Sequence, residues 1–163
     1  MKSTLRLILA LVLCGGCLGC VEGPAPSPHG AAVPIAALDL LRLRDPGTSW
    51  DRRSLLQADL DQDGVADFAA LGRGEDHFVV GIVHGPVKAS EDKVWTLNFP
   101  WDGGEDALCS KRAKIELESL AENEGPEEDQ PKTGQGLNLS DDECDAFHIY
   151  WNPRKKQFDW WRL

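Results

Sequence analysis

The residues best equipped for chemistry stand in one stretch, Asp59-Leu60-Asp61-Gln62-Asp63-Gly64-Val65-Ala66-Asp67. Carboxylates occupy its first, third, fifth and ninth positions, glycine the sixth, and the seventh, Val65, offers a backbone carbonyl. Alternate spacing lets the side chains of Asp59, Asp61 and Asp63 converge while the chain turns around them, and Gly64 supplies the positive φ that a sharp bend requires. Four carboxylates this close repel one another unless a cation lies among them. A hard divalent ion taking about six to eight oxygen ligands suits the set. Calcium is therefore the expected occupant, held by Asp59, Asp61, Asp63, the Val65 carbonyl and Asp67. Magnesium, with its stricter octahedral demand, suits it less.

An EF-hand would place a bidentate glutamate where this chain has Ala70, and would continue as a helix, whereas the residues after Asp67 are strand-like. The nine-residue form followed by Phe68-Ala69-Ala70-Leu71 resembles instead the calcium loops of FG-GAP and VCBS repeats. That resemblance implies a loop joining two strands, with the aspartates and the Val65 carbonyl holding structural calcium. It covers only the stretch from Leu55 to Leu71 and occurs once, so a propeller, which needs about four blades, is excluded. Extracellular calcium loops bind at about 10⁻⁴ to 10⁻³ M, which restricts occupancy to compartments outside the cytoplasm.

The remaining constellations assign no catalytic residue. His77 and His84 are seven positions apart in a strand-like run, so they face opposite sides of a sheet and do not share one ion. His148, beside Tyr150, could form an acid–base couple with an aspartate, but a half-buried histidine with one satisfied hydrogen bond is the simpler reading. No G-x-S-x-G, H-E-x-x-H or phosphate-binding glycine loop occurs. Trp95, Trp101, Trp151, Trp160 and Trp161, with Tyr150, are many aromatics for one domain. They are expected chiefly to cap the core, with Trp161 turned to solvent or to the N-terminal segment. An exposed C-terminal aromatic edge would instead suit an envelope hydrolase or a carbohydrate-binding protein.

The elements around the acidic stretch begin with an export signal. Lys2 and Arg6 accompany a short apolar run ending near Leu13, too short for the roughly 20 residues that span a bilayer. The exit, Cys14-Gly15-Gly16-Cys17-Leu18-Gly19-Cys20, resembles the lipobox of bacterial lipoproteins, which implies lipidation of Cys17 or Cys20 and a membrane partner through the lipid. Residues 1–20 thus form the signal and lipobox. Residues 21–34, with Pro24, Pro26, Pro28 and Pro34, form a tether, which extended at about 3.1 Å per residue reaches about 40 Å. His29 lies within it. Residues 35–163 form the folded domain. Its two cysteines, Cys109 and Cys144, are expected to be joined as a disulfide in an oxidising envelope compartment.

Within that domain apolar residues alternate with period two. Phe78, Val80 and Ile82 share one face of the run from His77 to His84, with Val79 and Val83 on the other, the pattern of a central strand. Val65 to Leu71, Lys93 to Phe99, Lys114 to Glu118, and a hairpin of Phe147 to Trp151 with Phe158 to Trp160 complete about six strands. Ile35 to Arg44 suits a short helix stopped by Pro46-Gly47. The fold class expected is therefore mainly β, with α+β the variant: a small antiparallel sheet, one N-terminal helix, and an acidic loop 121–145. The chain carries 27 Asp and Glu against 17 Lys and Arg, a formal charge of −10. Such a surplus repels phosphate backbones, so no nucleic acid is expected, whereas a protein partner with a cationic face would be attracted. These features together predict an exported, lipid-anchored, calcium-stabilised structural or interaction module without catalytic residues.

Overall fold

Among the described residues, period-two alternation resolves into nine antiparallel strands in two sheets, with one α-helix against the first. The computed structural model describes residues 32–87, 93–101, 103–104, 106–122 and 131–162. The signal, Cys17, Cys20, His29 and the tether up to residue 31 lie outside these residues, as do positions 123–130 of the acidic loop. Helix α1 (Ala32–Arg44) precedes β1 (Ser49–Trp50), β2 (Leu56–Ala58), β3 (Asp67–Arg73), β4 (His77–Val83) and β5 (Val94–Pro100). The second group is β6 (Lys114–Ser119), β7 (Gln135–Ser140), β8 (Phe147–Asn152) and β9 (Gln157–Arg162). The helix starts three residues earlier than its sequence pattern suggested, because proline in a first turn forfeits no helical hydrogen bond.

In the first sheet β3 pairs with β4 and β4 with β5. The outer edge of β3 is shared by β1, opposite Gly72 and Arg73, and β2, opposite Asp67 to Ala69. A short 3₁₀ turn at Arg52–Ser54, capped by Asp51, separates these two pieces. The second sheet is a meander in the order β6, β7, β8, β9.

The two sheets face each other across the main core, where Leu71, Phe78, Val80, Ile82 and Phe99 meet Ile115, Leu137, Leu139, Phe147, Ile149 and Phe158. The opposite face of the first sheet, carrying Phe68, Ala70, Val79 and Val83, is covered by Ala37, Leu38 and Leu41 of α1. This explains why β4 is apolar on both faces: one side fills the sandwich and the other seats the helix. Gly81 permits that seating, since a Cβ there would lie 2.5 Å from Trp50 and 2.6 Å from Leu41.

The mainly β antiparallel class holds, and the structure refines it. Strand β7 lies inside the stretch 121–145 expected to be a loop, and it corrects that expectation. Leu137 and Leu139 are buried, and β7 pairs on both sides, with β6 and β8. Only two apolar residues, set among glycine, asparagine and serine, carried the alternation, and pairing from two neighbours makes up the weak local signal.

Candidate metal centre

The acidic stretch forms the loop of the β2–β3 hairpin, closed by the Ala58–Asp67 pair. Its backbone is held by its own carboxylates. Asp59 accepts the Asp63 N–H at 3.1 Å and the Gly64 N–H at 3.0 Å, Asp61 accepts the Asp63 N–H at 3.2 Å, and Asp63 accepts the Val65 N–H at 2.8 Å. Gln62 and Gly64 take positive φ, 62° and 87°, and Gly64 has open space around its missing Cβ. The glycine thus serves backbone conformation, not close packing.

Asp67 is the fastener. Its side chain is buried and accepts three backbone N–H groups, from Leu60 at 2.9 Å and Asp61 at 3.3 Å on one oxygen and from Gly85 at 3.0 Å on the other. A buried carboxylate with this many donors ties the start of the loop to the end of β4. Gly85 allows the approach, because a Cβ there would fall 2.1 Å from the Ala66 carbonyl oxygen.

Oxygens of Asp59, Asp61 and Asp63 lie within 4.8 Å of one another, and so do ligand atoms of Asp61, Asp67 and His84. Asp61 belongs to both groups. Burial, followed by the charge of Asp67, pushes the Asp61 carboxyl above its ordinary value. The imidazole of His84 enters the same space. Its Nδ1 stands 3.0 Å from Asp61 and 3.2 Å from Asp67, its Nε2 stands 3.5 Å from Asp63, and the buried Nδ1 has no hydrogen bond. These acidic groups can hold a metal ion, and the set offers several oxygens with one nitrogen beside them. Of the expected ligands, the three alternate aspartates converge as anticipated and Asp67 closes the loop behind them. Val65 enters the turn through its N–H to Asp63.

His84 was not linked to the aspartates by sequence spacing. The link is the strand register: Phe68 pairs with Val83, so the next rung sets Asp67 opposite His84. His77 lies elsewhere and pairs with Asp76 at 2.7 Å. His148 hydrogen-bonds Glu118 at 2.8 Å and stacks on Trp161, with ring centroids 3.9 Å apart. Its partner is thus a glutamate on β6, reached across the intervening β7, not an aspartate. Trp161 itself is buried, with Leu120 and Tyr150, so of its two expected surroundings, solvent or the N-terminal segment, solvent is excluded. The outer face of the second sheet builds its own small cluster there. Trp95, Trp101, Trp151 and Trp160 pack against the main core, and the exposed large apolar residues among those described are Ile35, Leu43 and Leu117.

Cys109 and Cys144 form the expected disulfide, with Cα atoms 5.8 Å apart. Beside it lies a residue that sequence reasoning missed. Asp141 is buried and accepts four backbone N–H groups: Cys109 and Ser110 on one oxygen, Glu143 and Cys144 on the other. Burial pushes its carboxyl up, but these four donors outweigh that and hold it below the usual value.

Comparison with known protein families, with characterised proteins and with solved structures finds no match for this chain.

Proposed function

We infer that this chain is a lipid-anchored module of the bacterial cell envelope whose Asp59–Asp67 loop binds calcium, and that its role is structural or interactive, not catalytic. The observation that carries the reading is the convergence of Asp59, Asp61 and Asp63 in a hairpin loop bent at Gly64 and fastened from behind by Asp67. The alternate aspartates supply oxygens from one side, and the Val65 carbonyl is the backbone ligand that this loop pattern provides. The resemblance to FG-GAP and VCBS calcium loops supports the same reading. In this role the ion offsets the burial and the repulsion by Asp67 that raise Asp61, and it locks the hairpin in register. The anchor is Cys17 or Cys20, and the acidic surface is available to a cationic face on a protein partner.

The test is thermal unfolding in chelator and in calcium. With affinity in the range of about 10⁻⁴ to 10⁻³ M, 10 mM calcium contributes about 1.4 to 2.7 kcal/mol. That raises Tm by roughly 4 to 10 °C for a domain of this size. Asp61→Ala with Asp63→Ala abolishes the rise. An identical Tm with chelator and with calcium would overturn the proposal.

A further inference from the structure

Among the described residues, three cationic residues line one cleft against a single carboxylate. Arg73 ends β3, and Lys111 and Arg112 lie in the segment that leads into β6, across an open cleft of about 410 Å³. The cleft also presents Asp51 and an apolar wall of Leu71, Phe78 and Ala113. Among the described residues, ion pairs engage Arg42, Lys114 and Lys155 but not Arg73, Lys111 or Arg112. This occurs in a chain of net charge −10, where carboxylates outnumber cations.

The cations are also held in place before any ligand arrives. The Arg73 guanidinium lies 4.8 Å from the Trp101 ring centroid and 5.6 Å from that of Phe78, and donates to the Lys111 carbonyl at 3.3 Å. The Lys111 ammonium lies 5.8 Å from the same Trp101 ring. The backbone carrying Lys111 and Arg112 is clasped by Ser110, whose hydroxyl accepts the Arg112 N–H and donates to its carbonyl. One residue earlier come the disulfide and the Asp141 knot. Arginine stacked on an aromatic ring keeps its remaining donors in a fixed plane, and that plane matches two oxygens of one oxyanion.

We propose that this cleft binds a small organic phosphate monoester. Three cations against the single carboxylate of Asp51 leave an excess of two positive charges, which fits a dianion better than a monocarboxylate. The Leu71, Phe78 and Ala113 wall takes the apolar part of the ester. The phosphate can belong to a soluble ester or to a lipid headgroup, because both present the same oxygens. This site is independent of the acidic loop.

The experiment titrates the purified full-length chain with phenyl phosphate, reads tryptophan fluorescence through Trp101, and confirms stoichiometry by calorimetry. In parallel, flotation with phosphatidylcholine vesicles containing phosphatidic acid tests the lipid source. Saturable one-to-one binding of phenyl phosphate, at least tenfold tighter than phenol and weakened by salt, is the expected result. Binding to phosphatidic acid vesicles that exceeds binding to phosphatidylcholine vesicles alone, without phenyl phosphate binding, assigns the phosphate to a headgroup, because a lipid anchor binds both vesicles alike. Arg73→Gln and Lys111→Gln each weaken binding about tenfold, whereas Asp51→Asn, which keeps the oxygen that caps Arg53, strengthens it severalfold. Each variant is checked by its melting curve, and Arg112→Gln replaces either one that is unfolded. Absence of binding in both arms, equal binding of phenol, or unchanged affinity in the cation variants would overturn the proposal.

Discussion

Replacing Asp141 by Asn changes one atom and breaks the knot beside the disulfide. In the native chain each carboxylate oxygen accepts two backbone N–H groups, and the four donors come from both sides of the Cys109–Cys144 bridge. The amide retains one accepting oxygen and turns an NH₂ group toward the other two donors. Two charge-assisted hydrogen bonds are lost at about 1.5 to 3 kcal/mol each, and local relaxation recovers part, so a net cost of about 3 kcal/mol is expected. Asp142→Asn is the control, since it removes the same charge from an exposed side chain paired, among the described residues, with Lys114, and its cost should stay within about 0.5 kcal/mol. Urea unfolding measures both variants through the midpoint at unchanged slope. Amide exchange localises the effect to Cys109, Ser110, Glu143 and Cys144. The pH dependence follows from the sign of the shift. Asp141 titrates below its ordinary 3.8 in the folded chain, so its contribution is complete above that value and is lost as pH falls below it. The gap between wild type and Asp141→Asn should therefore be full at pH 6 and shrink below about pH 3.8. Equal costs for the two asparagine variants at pH 6 would refute the reasoning.

Other outcomes follow from the same geometry. Asp61→Asn should raise the melting temperature in chelator, because Asp61 is held above its ordinary value by burial and by Asp67, yet it should remove the response to calcium; a fall in chelator would contradict the first half. Gly64→Ala meets no atom within 4 Å but must adopt a φ of 87°, so a cost of about 1 kcal/mol from backbone strain is expected in urea titration. Gly81→Ala drives a methyl into Trp50 and Leu41, and calorimetry should show a loss of about 1 to 3 kcal/mol as α1 shifts from the sheet. Joint replacement of Cys109 and Cys144 by Ser opens a loop with a sequence separation of 35 and should cost about 4 kcal/mol in the chain-entropy model, measured by the same unfolding experiment.

Some of this was legible from short stretches of chain. Alternation placed β4 as a central strand because its two apolar faces are both written into seven consecutive residues. The aspartate spacing marked the acidic loop because three carboxylates on alternate residues need only one local bend to converge. The disulfide followed from the two cysteines of residues 35–163 in a chain whose sequence reads as exported. By contrast, β7 has only Leu137 and Leu139 to announce it, and it owes its place to partners on both sides. The division into two sheets was equally hidden, since a strand's pattern shows that a face is buried but not which neighbour buries it.

The sequence alone determined which groups are present and how they are spaced over a few residues: the mainly β class, the helix, the acidic loop and the excess of negative charge. Only the tertiary structure decided what meets what. His84 reaches the aspartates through strand register, and Asp141 gathers donors from residues 31 and 32 positions away. Arg73 meets Lys111 across 38 positions, at the edge where the two sheets approach. Local spacing dictates backbone conformation because the relevant torsions and hydrogen bonds lie within one or two turns of chain. Convergence of distant side chains is set by pairing register and by burial of the shared core, and those are properties of the whole fold.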